Sequence, residues 1–288
     1  MNSVTGHTTG HSIAAEVRMQ RQVHKGAFLL LEGATDLKRI RKILDRRVCC
    51  PIICFGKDKV VDAVKRIGED DLLGVAGMID ADFDRPRQTL VQHEMLIVSR
   101  THDYDMDMLT TNALTRYFLE VSTQPSLASS PDDSTSQKIL TDILESIRLL
   151  SALRYANVRD QLGYKLSDLK LEKFYDGHQI DLDQMIDDAS RGKFSDPASK
   201  AKLRSIVSKY AALPLDLYQI SSGHDACGAL GICLRARLGK RETDQTTRSE
   251  IEIHMRLTLD PNDFRECGLI ENLKAWEEDN TPYRILVN

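Results

Sequence analysis

The chain has 288 residues, of which 41% are hydrophobic and 28% are charged, with a formal net charge of −4. These values are typical of a globular protein that buries a core, and every apolar run is too short to cross a bilayer. Residues 1–12 lack the charged start and apolar stretch of a signal peptide. We therefore expect a soluble, cytoplasmic protein with no membrane contact, whose six cysteines are reduced.

Short apolar runs alternate with helical patterns over the first 120 residues. A helix is expected at 13–24, and the later helical patterns follow the strands. Expected strands are 27–31, 51–55, 72–79 and 95–98, and expected helices are 36–44, 58–67 and 106–118. Continuous apolar runs bounded by glycine suit strands that are buried on both faces. The alternation predicts an α/β fold with a parallel sheet flanked by helices.

The pattern changes at residues 122–136, which are rich in Ser, Pro and Asp and lack periodicity. Beyond them, helices are expected at 137–156, 181–191, 198–211 and 223–238, and 251–257 is the one segment with β alternation. This organisation predicts four parts. They are an N-terminal tail and helix (1–24), a metal-binding domain (25–121), a linker or exposed loop (122–136) and a mainly helical C-terminal domain (137–288).

Acidic residues follow two of the expected strands. Glu32 ends the first strand and Asp80 ends the third, so parallel strands would bring both to one edge of the sheet. Asp82 and Asp84 continue at alternate positions, which in an extended chain would share one side with Asp80. Carboxylates this close repel one another unless a cation neutralises them, and Mg²⁺ or Mn²⁺ prefers such oxygen ligands. The alternative is a solvated acidic turn.

Further polar residues are expected to support this site. Asp36 either opens a helix or orients a metal-bound water. Asp225 is expected to cap a helix and orient His224, which either ties the helical domain to the sheet or reaches the site to donate a proton or bind phosphate. The segment THDYDMDM follows the fourth strand and adds four side chains that either face the same edge or open a helix: His102, Asp103, Asp105 and Asp107. Basic residues expected to contact a phosphate backbone are Lys57, Lys59 and Arg85.

The segments LLLEGATD and GMIDADFD together resemble the toprim domain of topoisomerases, primases and OLD-family nucleases. With CFGKDKVVDAV, HDYDMDML and SSGHDACGAL, the chain more narrowly resembles the toprim-like DUF4435 family, which includes the toprim effector of the PARIS anti-phage system. The resemblance implies a toprim-like sheet with Glu32, Asp80 and Asp82 as metal ligands and Asp84 in catalytic support. Asp107 stands where many members have Glu, which puts a ligand role there in question.

The resemblance also implies a function. It predicts a Mg²⁺- or Mn²⁺-dependent endonuclease that cleaves RNA such as tRNA, or DNA, as an anti-phage effector controlled by an ABC-type ATPase partner. The apolar faces of the helical half favour a homodimer. The alternatives are a catalytically degenerate toprim binding module and a haloacid-dehalogenase-like phosphatase. The phosphatase fits less well, because its acidic motif follows the first strand of the fold.

Overall fold

A computed structural model describes residues 8–122, 133–191, 194–239 and 242–287. Four parallel strands form one sheet in the order β2-β1-β3-β4. The strands are β1 (Ala27–Leu31), β2 (Cys49–Ile53), β3 (Val75–Ile79) and β4 (Leu96–Val98). The expected α/β fold with a parallel sheet and a helical C-terminal part is confirmed.

Helices make up most of the remaining described chain. In chain order they are α1 (Gly10–Arg21), α2 (Ala34–Ile40), α3 (Lys57–Glu69), α4 (Asp84–Arg87), α5 (Tyr104–Leu109), α6 (Asn112–Val121), α7 (Asp133–Ser146), α8 (Arg148–Arg159), α9 (Leu182–Ala189), α10 (Pro197–Ala211), α11 (Leu217–Ile220), α12 (Gly223–Cys233), α13 (Arg248–Thr258), α14 (Pro261–Glu266) and α15 (Leu269–Asp279). A π-helical turn, Leu234–Leu238, continues α12.

Strand β1 lies at the centre of the sheet, between β2 and β3. All five of its residues are buried, as expected for a parallel strand covered on both faces. Leu31 pairs with Ile53 of β2 and with Met78 of β3. The carboxyl ends of these three strands therefore lie at one edge, and the residues that follow them are brought together there.

Helices α1 and α3 pack on each other, and α3 packs on β3. Their buried faces present Ile13 and Val17 from α1 and Val64 and Ile67 from α3, in one cluster with Phe28 of β1. These positions follow the i, i+3, i+4 spacing that places apolar residues on one helix face. Burying this face stabilises the packing of α1 and α3 on the sheet.

The described chain divides into two compact units. The first contains residues 8–81, 91–100 and 260–287, and the second contains 82–90 with the described residues of 101–259. The C-terminal segment joins the first unit through backbone hydrogen bonds from Val287 N–H to Ile43 O (2.8 Å) and from Asp45 N–H to Ile285 O (2.8 Å).

This division differs from the domain boundary expected within 122–136, of which residues 123–132 lie outside the described chain. Residues before that segment pack with helices after it. An example is the Ser122 hydroxyl, which donates to Leu238 O at 2.8 Å. The sequence signal was the composition of a loop, and loop composition does not say which elements pack together.

Three expected elements have different structures. The helix expected at 137–156 is interrupted at Ile147, which separates α7 from α8. The helix expected at 106–118 is two helices, because the Thr111 side chain caps a new one. The expected strand 251–257 is wrong: it lies in helix α13, where Ile251 and Met255 are buried at a helical spacing of four.

Candidate functional site

Glu32 and Asp80 lie side by side at the carboxyl edge of the sheet. Glu32 directly follows β1, and Asp80 directly follows β3. The two strands are hydrogen-bonded neighbours. The Asp80 backbone N–H donates to the Glu32 carboxylate (Oε1) at 2.8 Å. Both residues are half-buried. The sequence predicted these two acids at one edge, and the structure joins them there by this backbone-to-carboxylate hydrogen bond.

The chain that follows β2 runs beside Glu32. The N–H of Cys54 donates to Leu31 O at 2.8 Å, and the N–H of Gly56 donates to Glu32 O at 2.9 Å. Between them, Phe55 has a φ of 61° and is 44% exposed. The loop after β2 therefore extends the ladder of β1 by one residue and presents an aromatic ring at this edge.

Lys57 and Lys59 open helix α3 at the same edge, and both are half-buried. The Lys57 ammonium (Nζ) donates to the carbonyl of Ala81 at 3.2 Å, and the Ala81 N–H donates to the Ser99 hydroxyl at 2.8 Å. Lys57 thus places a positive charge one residue after Asp80. Its expected contact with nucleic acid stays a prediction.

Asp82 and Asp84 belong to the second unit. The expectation that they continue an extended chain is wrong. Asp82 has a φ of 50°, and Asp84 begins the short helix α4, where its carboxylate accepts from the Thr89 hydroxyl at 2.9 Å. A left-handed residue turns the chain, so alternation in sequence no longer means a shared side. Arg85 lies in the same helix and is half-buried.

Asp36 acts as a helix-opening residue. Its carboxylate accepts from the N–H of Gly33 at 2.7 Å and is paired with the guanidinium of Arg39. Both partners of the ion pair are buried. This arrangement satisfies the exposed amides of a helix start and neutralises the buried acid. These contacts are those of a residue that opens a helix, which is one of the two roles expected for Asp36.

The four side chains of the segment after β4 are all buried in the second unit. Asp103 caps α5 by accepting from Met106 N–H at 2.7 Å, and it also accepts from Gly223 N–H at 2.9 Å. Asp107 accepts from the Thr101 N–H at 2.8 Å and from its hydroxyl at 2.6 Å. Asp103 thereby opens α5, as one of the two alternatives expects, and Asp107 holds Thr101.

His102 and Asp105 also contact other parts of the second unit. The His102 ring lies 3.2 Å (Nδ1) from Gln219 O and packs edge-on against Phe83 at 4.6 Å between ring centroids. Asp105 lies beside Gly223, where an added Cβ would stand 2.5 Å from the Asp105 Cβ. Asp103 and Asp105 therefore lie where α5 packs against α12, whereas His102 packs against Phe83 and Gln219.

His224 and Asp225 have different partners. Asp225 forms a two-point ion pair with Arg154, one arm of which is 2.8 Å long, while Ser222 caps α12 by accepting from Asp225 N–H. The expectation that Asp225 caps the helix and orients the histidine is therefore wrong, because Ser222 lies at the capping position. His224 instead pairs with Glu252 of α13, with 2.6 Å between Nδ1 and Oε1.

The pKa of His224 is raised, first by its hydrogen bond to Glu252, against a smaller opposing effect of burial. Both His224 and Asp225 line a cavity of about 310 Å³ in the second unit, together with Arg154 and Arg248. Glu252 was not among the expected site residues, because 251–257 has a pattern that was interpreted as β alternation. The helical spacing of Ile251 and Met255 was the signal that would have placed it on α13 beside its partner helix.

The cysteines have the properties of buried thiols. All six are free, and five of them are buried. Burial raises the pKa of Cys227 well above the ordinary value and that of Cys54 to about 12. Low thiolate content makes these groups poor metal ligands.

The edge of the first unit is the best candidate for a metal. Within the described ranges, no group of three or more His, Cys, Asp or Glu side chains is gathered as a metal site. Glu32 and Asp80 nevertheless offer two carboxylates at the ends of adjacent strands, joined by the hydrogen bond from the Asp80 N–H to Glu32, and carboxylate oxygens are the ligands that Mg²⁺ and Mn²⁺ favour. Mg²⁺ keeps several waters, so a pair of carboxylates is a sufficient protein contribution. The donor chemistry fits the expected ion.

No model of a known protein family matches the chain, and a search of the curated proteins finds no match. Among the helices of the described residues, none is long and apolar enough to cross a membrane.

Proposed function

We propose that this protein is a metal-dependent nuclease that cleaves phosphodiester bonds, with Glu32 and Asp80 as metal ligands. The observation that supports it most is the contact between these two acids at the ends of adjacent parallel strands. The order of motifs adds support, since an acid after the first strand and Asp-x-Asp after a later one is the toprim pattern. That pattern adds Asp82 as a third ligand and Asp84 in support.

The residues present a conflict that a divalent cation resolves. Two ionised carboxylates at neighbouring strand ends repel each other, and a divalent cation held by both would offset that repulsion. The Asp80 amide holds Glu32 Oε1 at the edge. A bound Mg²⁺ or Mn²⁺ would supply a more acidic water and stabilise the charge that develops on phosphate oxygens. Lys57, fixed at Ala81 O one residue after Asp80, contributes positive charge where a phosphate would approach.

The substrate and partner in this proposal come from the resemblance. Proteins of the DUF4435 type suggest RNA such as tRNA, or DNA, as the substrate, and an ABC-type ATPase as the partner that controls cleavage in anti-phage defence. A homodimer in the cytoplasm completes the proposal. The partner matters for any assay, because a controlled effector is expected to show its activity when released.

The proposal is tested by cleavage assays on purified protein. Labelled tRNA, single-stranded DNA and duplex DNA are incubated with Mg²⁺, Mn²⁺ or EDTA. Wild type is compared with Glu32→Gln, Asp80→Asn and Asp82→Asn. Glu69→Gln is the matched control, since Glu69 is an exposed acid at the end of α3. We expect metal-dependent cleavage that falls by roughly a hundredfold or more in the three site variants and is unchanged in Glu69→Gln.

Other outcomes contradict the proposal in distinct ways. Metal binding without cleavage of any substrate, with or without an ATPase partner, indicates a degenerate binding module. Release of phosphate from small phosphomonoesters, with no cut in nucleic acid, indicates a phosphatase. Equal cleavage by wild type and Glu32→Gln excludes this edge of the sheet as the site.

A further inference from the structure

Phe55 has a backbone conformation that a phenylalanine rarely adopts. Its φ of 61° lies in the left-handed region, and the next residue, Gly56, has a φ of 136°. Glycine, asparagine and aspartate are the residues that such turns favour, since a bulky side chain there is strained. Strained residues cluster at functional sites, where another use compensates for them.

Packing does not account for the choice of phenylalanine. The residue is 44% exposed, whereas its neighbour Cys54 is fully buried. Among the described residues, the Phe55 ring is not part of any aromatic pair or cation–π contact. A left-handed turn could have been made at less cost by asparagine or glycine, so the aromatic ring calls for a role outside the fold.

The backbone of Phe55 is held next to Glu32. Cys54 and Gly56, on either side of Phe55, donate backbone hydrogen bonds to Leu31 O and Glu32 O at 2.8 and 2.9 Å. Phe55 therefore lies at the edge that carries Glu32 and Asp80, and its side chain is partly exposed there. Two residues after Phe55 comes Lys57, at the start of the 13-residue helix α3, where positive charge and the helix terminus favour a phosphate group.

We propose that Phe55 is a stacking platform for an unpaired nucleobase, so that the substrate of this edge is single-stranded or locally unpaired nucleic acid. This inference rests on the proposed nuclease function and names its substrate class. A base stacks on an aromatic face whatever its identity, because every base has a π-face. Phenylalanine has no hydrogen-bonding group that would distinguish bases. Bases inside a duplex are already stacked on each other and do not offer a face to the ring.

The test measures binding separately from cleavage. A short single strand carries 2-aminopurine, a fluorescent base whose emission is quenched by stacking, and Ca²⁺ replaces Mg²⁺ so that the strand stays intact. Fluorescence anisotropy gives the affinity, and 2-aminopurine emission reports the stack. Variants are Phe55→Leu, which removes the aromatic face, and Phe55→Trp, which keeps one. The matched control is Leu73→Ala, a change at another exposed apolar side chain of the same unit.

Wild type and Phe55→Trp are expected to quench 2-aminopurine and to bind the single strand about tenfold or more tightly than Phe55→Leu. Leu73→Ala is expected to match wild type. Replacing single bases by abasic sites should weaken wild type at one position and leave Phe55→Leu unaffected there. Circular dichroism checks that each variant is folded, and Phe55→Trp shows that any loss follows the ring and not the turn.

The two proposals fail in different ways. If Phe55→Leu binds single strands as wild type does, or if wild type binds a duplex of equal length as tightly, the stacking role is excluded, whatever cleavage shows. If stacking depends on Phe55 but neither Mg²⁺ nor Mn²⁺ supports cleavage that Glu32→Gln removes, the nuclease proposal fails and the stacking site remains.

Discussion

The left-handed conformation of Phe55 has a consequence for stability. At a φ of 61° an L-residue is strained by about 1 kcal/mol, which glycine avoids. We predict that Phe55→Gly unfolds with a free energy about 1 kcal/mol higher than Phe55→Ala, although both lose the ring. Urea denaturation measures the difference. At a position with an extended backbone, Phe55→Gly would be less stable than Phe55→Ala. A lower free energy of unfolding for Phe55→Gly would therefore show that residue 55 is not left-handed.

The ion pair between Arg154 and Asp225 is expected to stabilise the second unit. Asp225 is buried and binds Arg154 through both carboxylate oxygens. Asp225→Ala leaves the guanidinium without that partner, so we predict a loss of about 2 kcal/mol in the free energy of unfolding.

Two controls accompany this prediction. Asp168→Ala removes the fully exposed pair with Lys165 and should change stability little, because water screens that pair. In the double variant Arg154→Met with Asp225→Ala, part of the loss should return, since no charge is left unpaired. Equal losses from Asp225→Ala and Asp168→Ala would contradict a special role for the buried pair.

The His224–Glu252 pair predicts a dependence of stability on pH. The hydrogen bond to Glu252 raises the folded pKa of His224 above its ordinary value of 6.5. Protonation of His224 is therefore linked to folding. Its contribution to the free energy of unfolding is fully present below pH 6.5 and is lost as the pH rises through the raised folded pKa. His224 is 54% exposed, so the effect is screened.

Unfolding of wild type and His224→Gln is compared across this pH range by urea titration. Wild type is expected to exceed the variant most at low pH, and the gap should close as the pH rises above 6.5. A gap that widens with pH would contradict the assigned direction of the pKa shift. Glu252→Gln serves as the matched change at the partner, and it should remove the same pH dependence.

For single residues, the sequence predicted which side chains are candidates for the site better than it predicted the partners that they contact. Glu32 and Asp80 could be predicted to meet, because parallel strands end at one edge. Asp225 could not be paired with Arg154, since 71 residues separate them and nothing local connects them. Asp82 was expected in extended chain, but a single left-handed residue turned it. Local pattern fixes which residue ends a strand, whereas tertiary packing chooses its partner.

Strand β3 and helix α3 are held together at a glycine. A Cβ added at Gly77 would stand 2.8 to 3.0 Å from the side chains of Val60, Val64 and Leu96. Because the packed interior resists added volume, we predict that Gly77→Ala lowers the free energy of unfolding by about 1–3 kcal/mol. Thermal denaturation followed by circular dichroism measures it.

Gly68→Ala is the matched control for this prediction. Gly68 lies in α3, and its added Cβ would meet only the His93 ring at 3.4 Å. Alanine restrains the unfolded chain and favours the helix, so stability should be unchanged or higher by up to about 1 kcal/mol. Equal effects of the two substitutions would contradict a close α3–β3 approach at Gly77.

Elements in the first half of the chain were predicted well because their signals are local. The expected strand 27–31 coincides with β1, and β4 lies within one residue of the expected strand. Helix interruptions were missed, since Ile147 and Thr111 lie inside continuous amphipathic patterns. The pattern reports which face is buried, and it does not report where the helix axis changes.

At the scale of the whole molecule, the C-terminal segment returns to the sheet-bearing unit. Leu286 forms an isolated antiparallel bridge with Leu44, about 240 residues earlier in the chain. Such non-local pairing leaves no periodic signal in sequence, which is why the helical half was expected to continue to residue 288. The division into units follows contacts of this kind and not the Ser- and Pro-rich composition at 122–136.

The return of the C-terminal segment predicts that deleting it destabilises the sheet-bearing unit. Glu277 of α15 accepts from the N–H groups of Ile285 and Leu286 at 2.6 and 2.7 Å. Deleting residues 283–288 should therefore destabilise the sheet-bearing unit, because it uncovers Ile43 and removes these backbone contacts. Hydrogen exchange is expected to rise in β1 and β2 with little change in α12. Unchanged exchange in both strands would contradict this account.

Binding of Mn²⁺, measured by electron paramagnetic resonance on wild type, Glu32→Gln and Asp80→Asn, tests the central claim most directly. Free Mn²⁺ gives the resolved signal, so bound ions are counted by its loss. The account predicts binding to wild type that falls by roughly tenfold or more in each variant, while the exposed-acid control Glu69→Gln keeps it. Equal Mn²⁺ binding by wild type and both site variants would show that the paired carboxylates at this edge of the sheet do not hold the metal.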